Sequence, residues 1–367
     1  MSPMRDGVHK VLVVDDSAFM RKVIGDMIER SPRLSLAGTA RDGEDALKRV
    51  EEYRPDVITL DVEMPRKDGL SVLEDLMRIR PTPVVMVSSQ TAKGADVTVR
   101  ALSIGAADFV LKPSGSISLD MKKVEEELVS KVIQAAQIDM SHLSRIDRQV
   151  LPSRRAKEII PERKPFVRED RRSFSKKPEV VALASSTGGP RALQGVLPLL
   201  SKNFPVPIVV VQHMPQGFTA SLARRMDDMS AISVVEAEEG MPLRKGTAVI
   251  APGGRHLLLK EKNGLVQCSL SDGPPVNSVR PAADLLFESV ARIFGGASIG
   301  VILTGMGKDG TEGARLLHEQ GAMVLGESPE TCVIYGMPKV AWESGYVHRQ
   351  LPLDSVAETL ESLVGNR

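Results

Sequence analysis

Cysteine is nearly absent. The 367 residues include two, Cys268 and Cys332, which excludes a disulfide framework and leaves no basis for a cysteine-rich zinc site. Net charge is also missing. Lys and Arg number 48 against 47 Asp and Glu, a formal +1, so general nucleic-acid binding by phosphate neutralisation is not expected. No run of about 18 apolar residues occurs, so no membrane insertion is expected. The opening MSPMRDGVHKVLVVDD meets acidic residues directly after a short apolar run, unlike a signal peptide. What is present, 42% apolar and 26% charged residues, is the balance of a soluble globular protein. The length suggests two domains, and the composition suits a reducing, cytoplasmic setting.

Residues 8–138 alternate regularly. Short β-rich runs at 10–14, 34–39, 57–60, 83–87 and 108–111 are separated by amphipathic stretches such as 17–30, 42–51 and 70–79. A closing helix is expected over 119–138. This pattern predicts a doubly wound, flavodoxin-like α/β domain whose ligands sit at the carboxyl ends of parallel strands. Residues 139–178 differ. From 141 to 178, twelve Lys and Arg stand against five Asp and Glu, a net +7, with several prolines and little aliphatic clustering. The stretch reads as a basic interdomain linker, and a docking role for its charge is the sharper alternative. Over 179–365 the alternation returns. Strands are expected at 180–184, 206–211, 232–235, 246–250, 298–303 and 322–325. Helices are expected at 191–200, 218–226, 281–293, 310–319 and 353–364. Asn263-Gly264 suits a hairpin turn. The second domain is predicted to be a mainly parallel, doubly wound α/β domain.

In the first domain, Asp15 and Asp16 end the first expected strand, Asp61 the third, Ser88 the fourth and Lys112 the fifth. A parallel sheet brings these ends to one edge. Three carboxylates there repel one another unless a cation joins them, and oxygen ligands suit Mg²⁺. Lys112 and Ser88 are fitted to an incoming phosphoryl group, with Asp61 as its carboxylate acceptor. Each aspartate taken alone could equally be a helix cap.

In the second domain an apolar strand runs into SSTGGP. A serine on such a turn can be an exposed nucleophile if small residues lie two before and two after it. Ser186 has Ala184 and Gly188 there, whereas Ser185 has Leu183 and Thr187, so steric fit favours Ser186. A phosphate-binding turn or a plain helix cap remains open. Among six histidines, His213 in VVVQHMPQGF ends the next strand and is favoured as base. His256 in APGGRHLLL is read as structural, with a supporting or substrate-contact role as the alternative. Asp309 in LTGMGKDG lies on the Gly-rich turn after a third strand and can complete a hydroxyl–imidazole–carboxylate relay, though it too could be an N-cap. Such a relay needs His213 within ~2.6–3.2 Å of both partners. Amides around Met306 are candidates for an oxyanion hole.

VLVVDDSAFMRK, LDVEMPRKDGL, VMVSS and ADFVLKP, in that order, resemble the response-regulator receiver domain of two-component signalling. The resemblance implies that a histidine kinase phosphorylates Asp61. It also implies that Asp15, Asp16, Asp61 and the Glu63 carbonyl hold Mg²⁺, that Ser88 and Lys112 read the phosphoryl group, that Phe109 is the aromatic switch and that Lys112–Pro113 is cis. SSTGGP, QHMPQGF, APGGRHL, RPAAD and LTGMGKDG together resemble the catalytic domain of the chemotaxis protein-glutamate methylesterase family. That resemblance implies Ser186 as nucleophile, His213 as base, Asp309 as its partner, and Met306, Thr187 and Gly188 at the oxyanion and substrate. It implies no cofactor in the esterase site, and chemoreceptor methyl esters as substrate, with deamidation of receptor glutamines a common companion activity. The two-domain order suggests a receiver that inhibits the esterase until Asp61 is phosphorylated; a monomer is expected. Where the family commonly has Ala, this chain has Ser185, so two hydroxyls compete. A DNA-binding output domain would need a helix-turn-helix with a basic face, and the second domain shows strands ending in Gly-rich turns instead. A catalytically idle scaffold would keep Asp61 phosphorylation but release no methanol.

Overall fold

The structure is a computed structural model and describes residues 7–89, 91–112, 119–138, 140, 166–167 and 176–365. The chain divides into two compact units, Met1–Leu143 and Ser144–Arg367. The expected cis bond before Pro113 and most of the basic stretch 139–178 lie outside the described residues.

The first unit has five parallel strands: β1 (His9–Val14), β2 (Leu34–Ala40), β3 (Val57–Asp61), β4 (Val84–Ser88) and β5 (Asp108–Leu111). Their order is β2-β1-β3-β4-β5. Strands β3 and β4 are buried throughout, which is why they read as continuous apolar runs. Between the strands lie α1 (Ala18–Glu29), α2 (Gly43–Tyr53), α3 (Gly69–Ile79) and α4 (Ala92–Ile104), and α5 (Leu119–Ala135) closes the unit. Side chains of Ser17, Asp42, Asp68 and Thr91 cap the first four helices by accepting backbone N–H groups. The strand order reverses between β1 and β3, so a crevice opens at their carboxyl ends.

The second unit is built on an eight-stranded sheet. Its members are β6 (Phe166–Val167), β7 (Val180–Ser185), β8 (Ile208–Gln212), β9 (Ser233–Glu236), β10 (Thr247–Ile250), β13 (Ser298–Ile302), β14 (Met323–Glu327) and β15 (Arg349–Leu351). A hairpin, β11 (His256–Lys262) and β12 (Leu265–Ser271), forms a separate two-stranded sheet. The large sheet runs β6-β15-β14-β13-β7-β8-β10-β9, with β6 antiparallel to β15 and the other pairs parallel. The helices are α6 (Gly189–Gln194), α7 (Phe218–Met229), α8 (Ala283–Phe294), α9 (Thr311–Glu319), α10 (Met337–Glu343) and α11 (Leu353–Gly365). Asn263 and Gly264 both have positive φ at the hairpin turn, as their sequence suggests. The single helix expected over 191–200 instead stops at Gln194 and gives way to a 3-10 turn at Leu197–Leu199. Pro198 lacks the N–H that a continuing helix would use. Strand β15 and helix α10 were not anticipated, because three and seven residues carry too little periodicity.

Strand β7 is central and lies between β8 and β13. The chain passes from β7 outwards through β8, then returns across β7 to β13. The turns after β8, β7 and β13 are therefore neighbours at one edge, the place where such sheets bind ligands.

Candidate active site

Those three turns carry His213, Ser186 and Asp309. Ser185, the last residue of β7, is fully buried, and its hydroxyl donates to Gln212 Oε1 at 2.7 Å. Ser186 is the half-buried member of the pair. Its N–H donates to the Thr304 carbonyl at 3.0 Å, while its own carbonyl accepts from Gly189 N at 2.7 Å and Gln212 Nε2 at 3.0 Å. The backbone of this residue is thus held on both sides, and among the described residues its hydroxyl has no hydrogen-bond partner. Gly188 caps α6 with φ 78°, and a Cβ there would lie 2.5 Å from Val333 Cβ. Only glycine fits both the conformation and the space. Gly305 passes so near that a Cβ would lie 2.7 Å from Ser186 Cβ.

His213 Nε2 lies 2.7 Å from Asp309 Oδ2. Nδ1 is then the nitrogen left to serve Ser186. Among the described residues no hydrogen bond joins the Ser186 hydroxyl to His213, so one of the two expected relay contacts is formed. Nucleophile–base contacts are often loose before substrate binds. Asp309 is 2% exposed and receives the Ala283 amide at 2.6 Å and the Asp284 amide at 3.2 Å, at the start of α8. Burial opposes its charge, but the His213 bond and charge and these two amides outweigh it and hold the carboxyl below the usual range. The Asn277 side-chain amide bridges Asp309 Oδ1 at 3.1 Å and Asp284 Oδ2 at 2.7 Å. Burial and the Asp309 charge push Asp284 up, against the Gly313 amide. His256 is fully buried. Its Nδ1 accepts the Ala282 amide at 3.1 Å and its Nε2 lies 3.0 Å from the Pro274 carbonyl, so it pins the segment leading into α8. Met306 is 48% exposed on the turn after β13, while Thr187 and Gly188 are buried.

In the first unit, carboxylate oxygens of Asp15, Asp16 and Asp61 lie within 4.8 Å of one another. Asp15 and Asp61 are buried and Asp16 is exposed. Lys112 Nζ is 2.7 Å from Asp61 Oδ2 and 3.1 Å from Asp15 Oδ2, yet neither oxygen receives an aligned hydrogen bond. Burial raises Asp61 to about 6, and Lys112 only partly offsets it. Two under-satisfied buried oxygens beside an exposed carboxylate fit a hard dication. The Glu63 amide donates to Asp61 Oδ1 at 3.2 Å on the loop after β3. Ser88 is buried and accepts from the Thr98 hydroxyl at 2.8 Å. Phe109 is buried, and Lys131 Nζ lies 5.1 Å from its ring centroid.

Sequence reasoning missed Gln212, Thr304, Asn277, Asp284 and Glu327. Gln212 and Glu327 end β8 and β14, so the strand-end rule that selected Asp61 reaches them as well. Asn277 gives no such signal, because its contacts depend on a turn with positive φ.

Among the described residues no helix is long and apolar enough to cross a membrane. Comparison with known families matches residues 181–360 to the CheB methylesterase domain and residues 11–122 to the response regulator receiver domain. A protein-glutamate methylesterase/protein-glutamine glutaminase of Geobacillus kaustophilus is 49% identical over 357 residues, 97% of this chain and 99% of that one. The protein of the same name from Bacillus subtilis is 44% identical over 357 residues, 97% of this chain and 98% of that one. Among solved structures, the Thermotoga maritima CheB methylesterase catalytic domain is 49% identical and matches with a TM-score of 0.51. The match covers 52% of this chain and 100% of that domain. The chain belongs to the protein-glutamate methylesterase family, in which a response regulator receiver domain precedes a CheB methylesterase domain.

Proposed function

We propose that this protein is a phosphorylation-regulated chemotaxis methylesterase acting in the cytoplasm. It hydrolyses glutamyl γ-methyl esters on methyl-accepting chemoreceptors to glutamate and methanol, and deamidates receptor glutamines by the same route. Residues 8–138 serve as receiver, 139–178 as linker and 179–365 as catalytic domain. The observation that carries this reading is the 2.7 Å contact between His213 and Asp309, on turns that flank the half-buried Ser186.

In this reading Ser186 Oγ attacks the ester carbonyl and its proton passes to His213 Nδ1. Amides near Met306, Thr187 and Gly188 receive the developing oxyanion. Collapse of the tetrahedral species breaks the ester C–O bond, and methanol leaves with the proton from His213. Water then attacks the acyl-enzyme, His213 again takes a proton, and Ser186 Oγ recovers it as glutamate departs. Asp309 remains a carboxylate and stabilises the imidazolium in each half-reaction. Its depressed proton affinity supports that role. The buried Ser185, with its hydroxyl given to Gln212, is unsuited to attack.

Asp61 accepts the phosphoryl group from the chemotaxis histidine kinase. Asp15, Asp16, Asp61 and the Glu63 carbonyl would hold Mg²⁺, which neutralises phosphoryl oxygens when bound. Lys112 and Ser88 bind the phosphoryl group, and Phe109 is the aromatic switch. Phosphorylation relieves inhibition of the esterase. The test is methanol release from methylated receptor membranes with and without a small phosphodonor. The reading expects release that the phosphodonor raises; no release under either condition would overturn it.

A further inference from the structure

Glu327, at the carboxyl end of β14, is 0% exposed. Among the described residues no Lys, Arg or His pairs with it. A carboxyl taken out of water without a cation is costly, so its hydrogen bonds identify what it holds. Oε1 accepts the Thr331 hydroxyl at 3.0 Å. Oε2 accepts the Thr304 amide at 2.8 Å.

Thr304 is itself buried and stands at a crossing of three segments. Its carbonyl accepts the Ser186 N–H at 3.0 Å. Its hydroxyl lies within donating distance of the Thr187 carbonyl, 3.1 Å, and the Ile334 carbonyl, 3.2 Å, and accepts the Ile334 amide at 2.9 Å. The next residue along the chain, Gly305, lies against Ser186 and leads into Met306. Gly305 is tied in turn to Ile334 through its N–H, 3.1 Å, and to Met337 through its carbonyl, 2.8 Å. Moving Thr304 therefore moves the nucleophile turn and the Met306 amide together.

We infer that Glu327 is a positioning residue for esterolysis, acting through Thr304 to fix the Ser186 turn relative to the Met306 loop. The inference rests on Ser186 being the nucleophile. Glu327 touches no reacting atom; it is two hydrogen bonds from Ser186. Burial pushes its carboxyl up to about 7, against the Thr304 amide and the Thr331 hydroxyl, and either protonation state keeps an oxygen for the Thr304 amide. A glutamine also keeps one, whereas a methionine of similar length does not. Displacing reacting groups by about 1 Å lowers rates on the order of 100-fold.

The experiment uses the full-length chain, activated by a small phosphodonor, with methylated receptor membranes as substrate. E327M is expected to lower kcat on the order of 10- to 100-fold with KM within about twofold, and E327Q to restore kcat to within about threefold of wild type. If E327M does not fold, E327L, which also lacks an acceptor for the Thr304 amide, decides in the same way. A folded E327M or E327L with wild-type kcat overturns the inference. So does an equal rise in KM alone. S186A separates the two levels. A dead S186A beside an unimpaired E327M removes the positioning role only, while an active S186A removes the nucleophile assignment on which it stands.

Discussion

Glutamine at position 327 should change stability by an amount that depends on pH, and the sign follows from burial. The native carboxyl is held up to about 7, against 4.5 for an ordinary glutamate, chiefly because the folded protein withholds water from its charged form. The native state therefore keeps its proton to higher pH than the unfolded chain. As pH rises through about 4.5 the unfolded state gains by ionising, and the native state falls behind until the pH passes about 7. The full interval corresponds to about 3 kcal/mol. Glutamine cannot ionise, so E327Q escapes this loss. Any difference from exchanging an oxygen for an amide nitrogen is the same at every pH and cancels when two pH values are compared. From pH 5 to pH 8, E327Q should gain about 2 to 3 kcal/mol relative to wild type. The assay is denaturant unfolding of the full chain followed by tryptophan fluorescence. Trp342 is the one tryptophan in the sequence and sits on α10, so the signal reports the second unit alone. A stability difference between E327Q and wild type that is the same at both pH values, within about 0.5 kcal/mol, would refute the reasoning.

S185A should leave Gln212 Oε1 without its buried donor and cost about 1–3 kcal/mol of stability by denaturant midpoint, while methanol release persists. Abolished release would move the nucleophile to Ser185. H256L should strand the Ala282 amide and the Pro274 carbonyl and cost about 2–5 kcal/mol, with kcat of the folded fraction preserved. A folded H256L with no activity would assign His256 to the chemistry. D61N should abolish the rise in methanol release on adding a phosphodonor, and a retained rise would place the phosphoryl acceptor elsewhere.

The first unit is legible because β3 and β4 are buried throughout and α1 to α4 begin with capping side chains, so apolar runs and Ser, Asp or Thr punctuation fall where the elements change. The strand-end rule then put Asp15, Asp61, Ser88 and Lys112 at one edge without knowledge of side-chain positions. In the second unit, the same rule reached Ser186, His213 and Asp309. It did not reach their supports. Asn277 bridges two carboxylates only because a turn folds back over α8, and Thr304 matters through its backbone carbonyl, which any residue would supply. The preference for Ser186 over Ser185 was drawn from neighbouring side-chain size. The structure adds a second reason, since the Ser185 hydroxyl is already committed inside the fold. The helix expected over 191–200 ends at Gly195 and Pro198, where helix-breaking residues outweigh the apolar pattern.

The sharpest test of the account is methanol release by full-length S186A from methylated receptor membranes, measured with a phosphodonor present and with Asp61 phosphorylation monitored in parallel. Release at background level with normal phosphorylation is the outcome that agrees with Ser186, His213 and Asp309 as the hydrolytic relay. Release at the wild-type rate would contradict it.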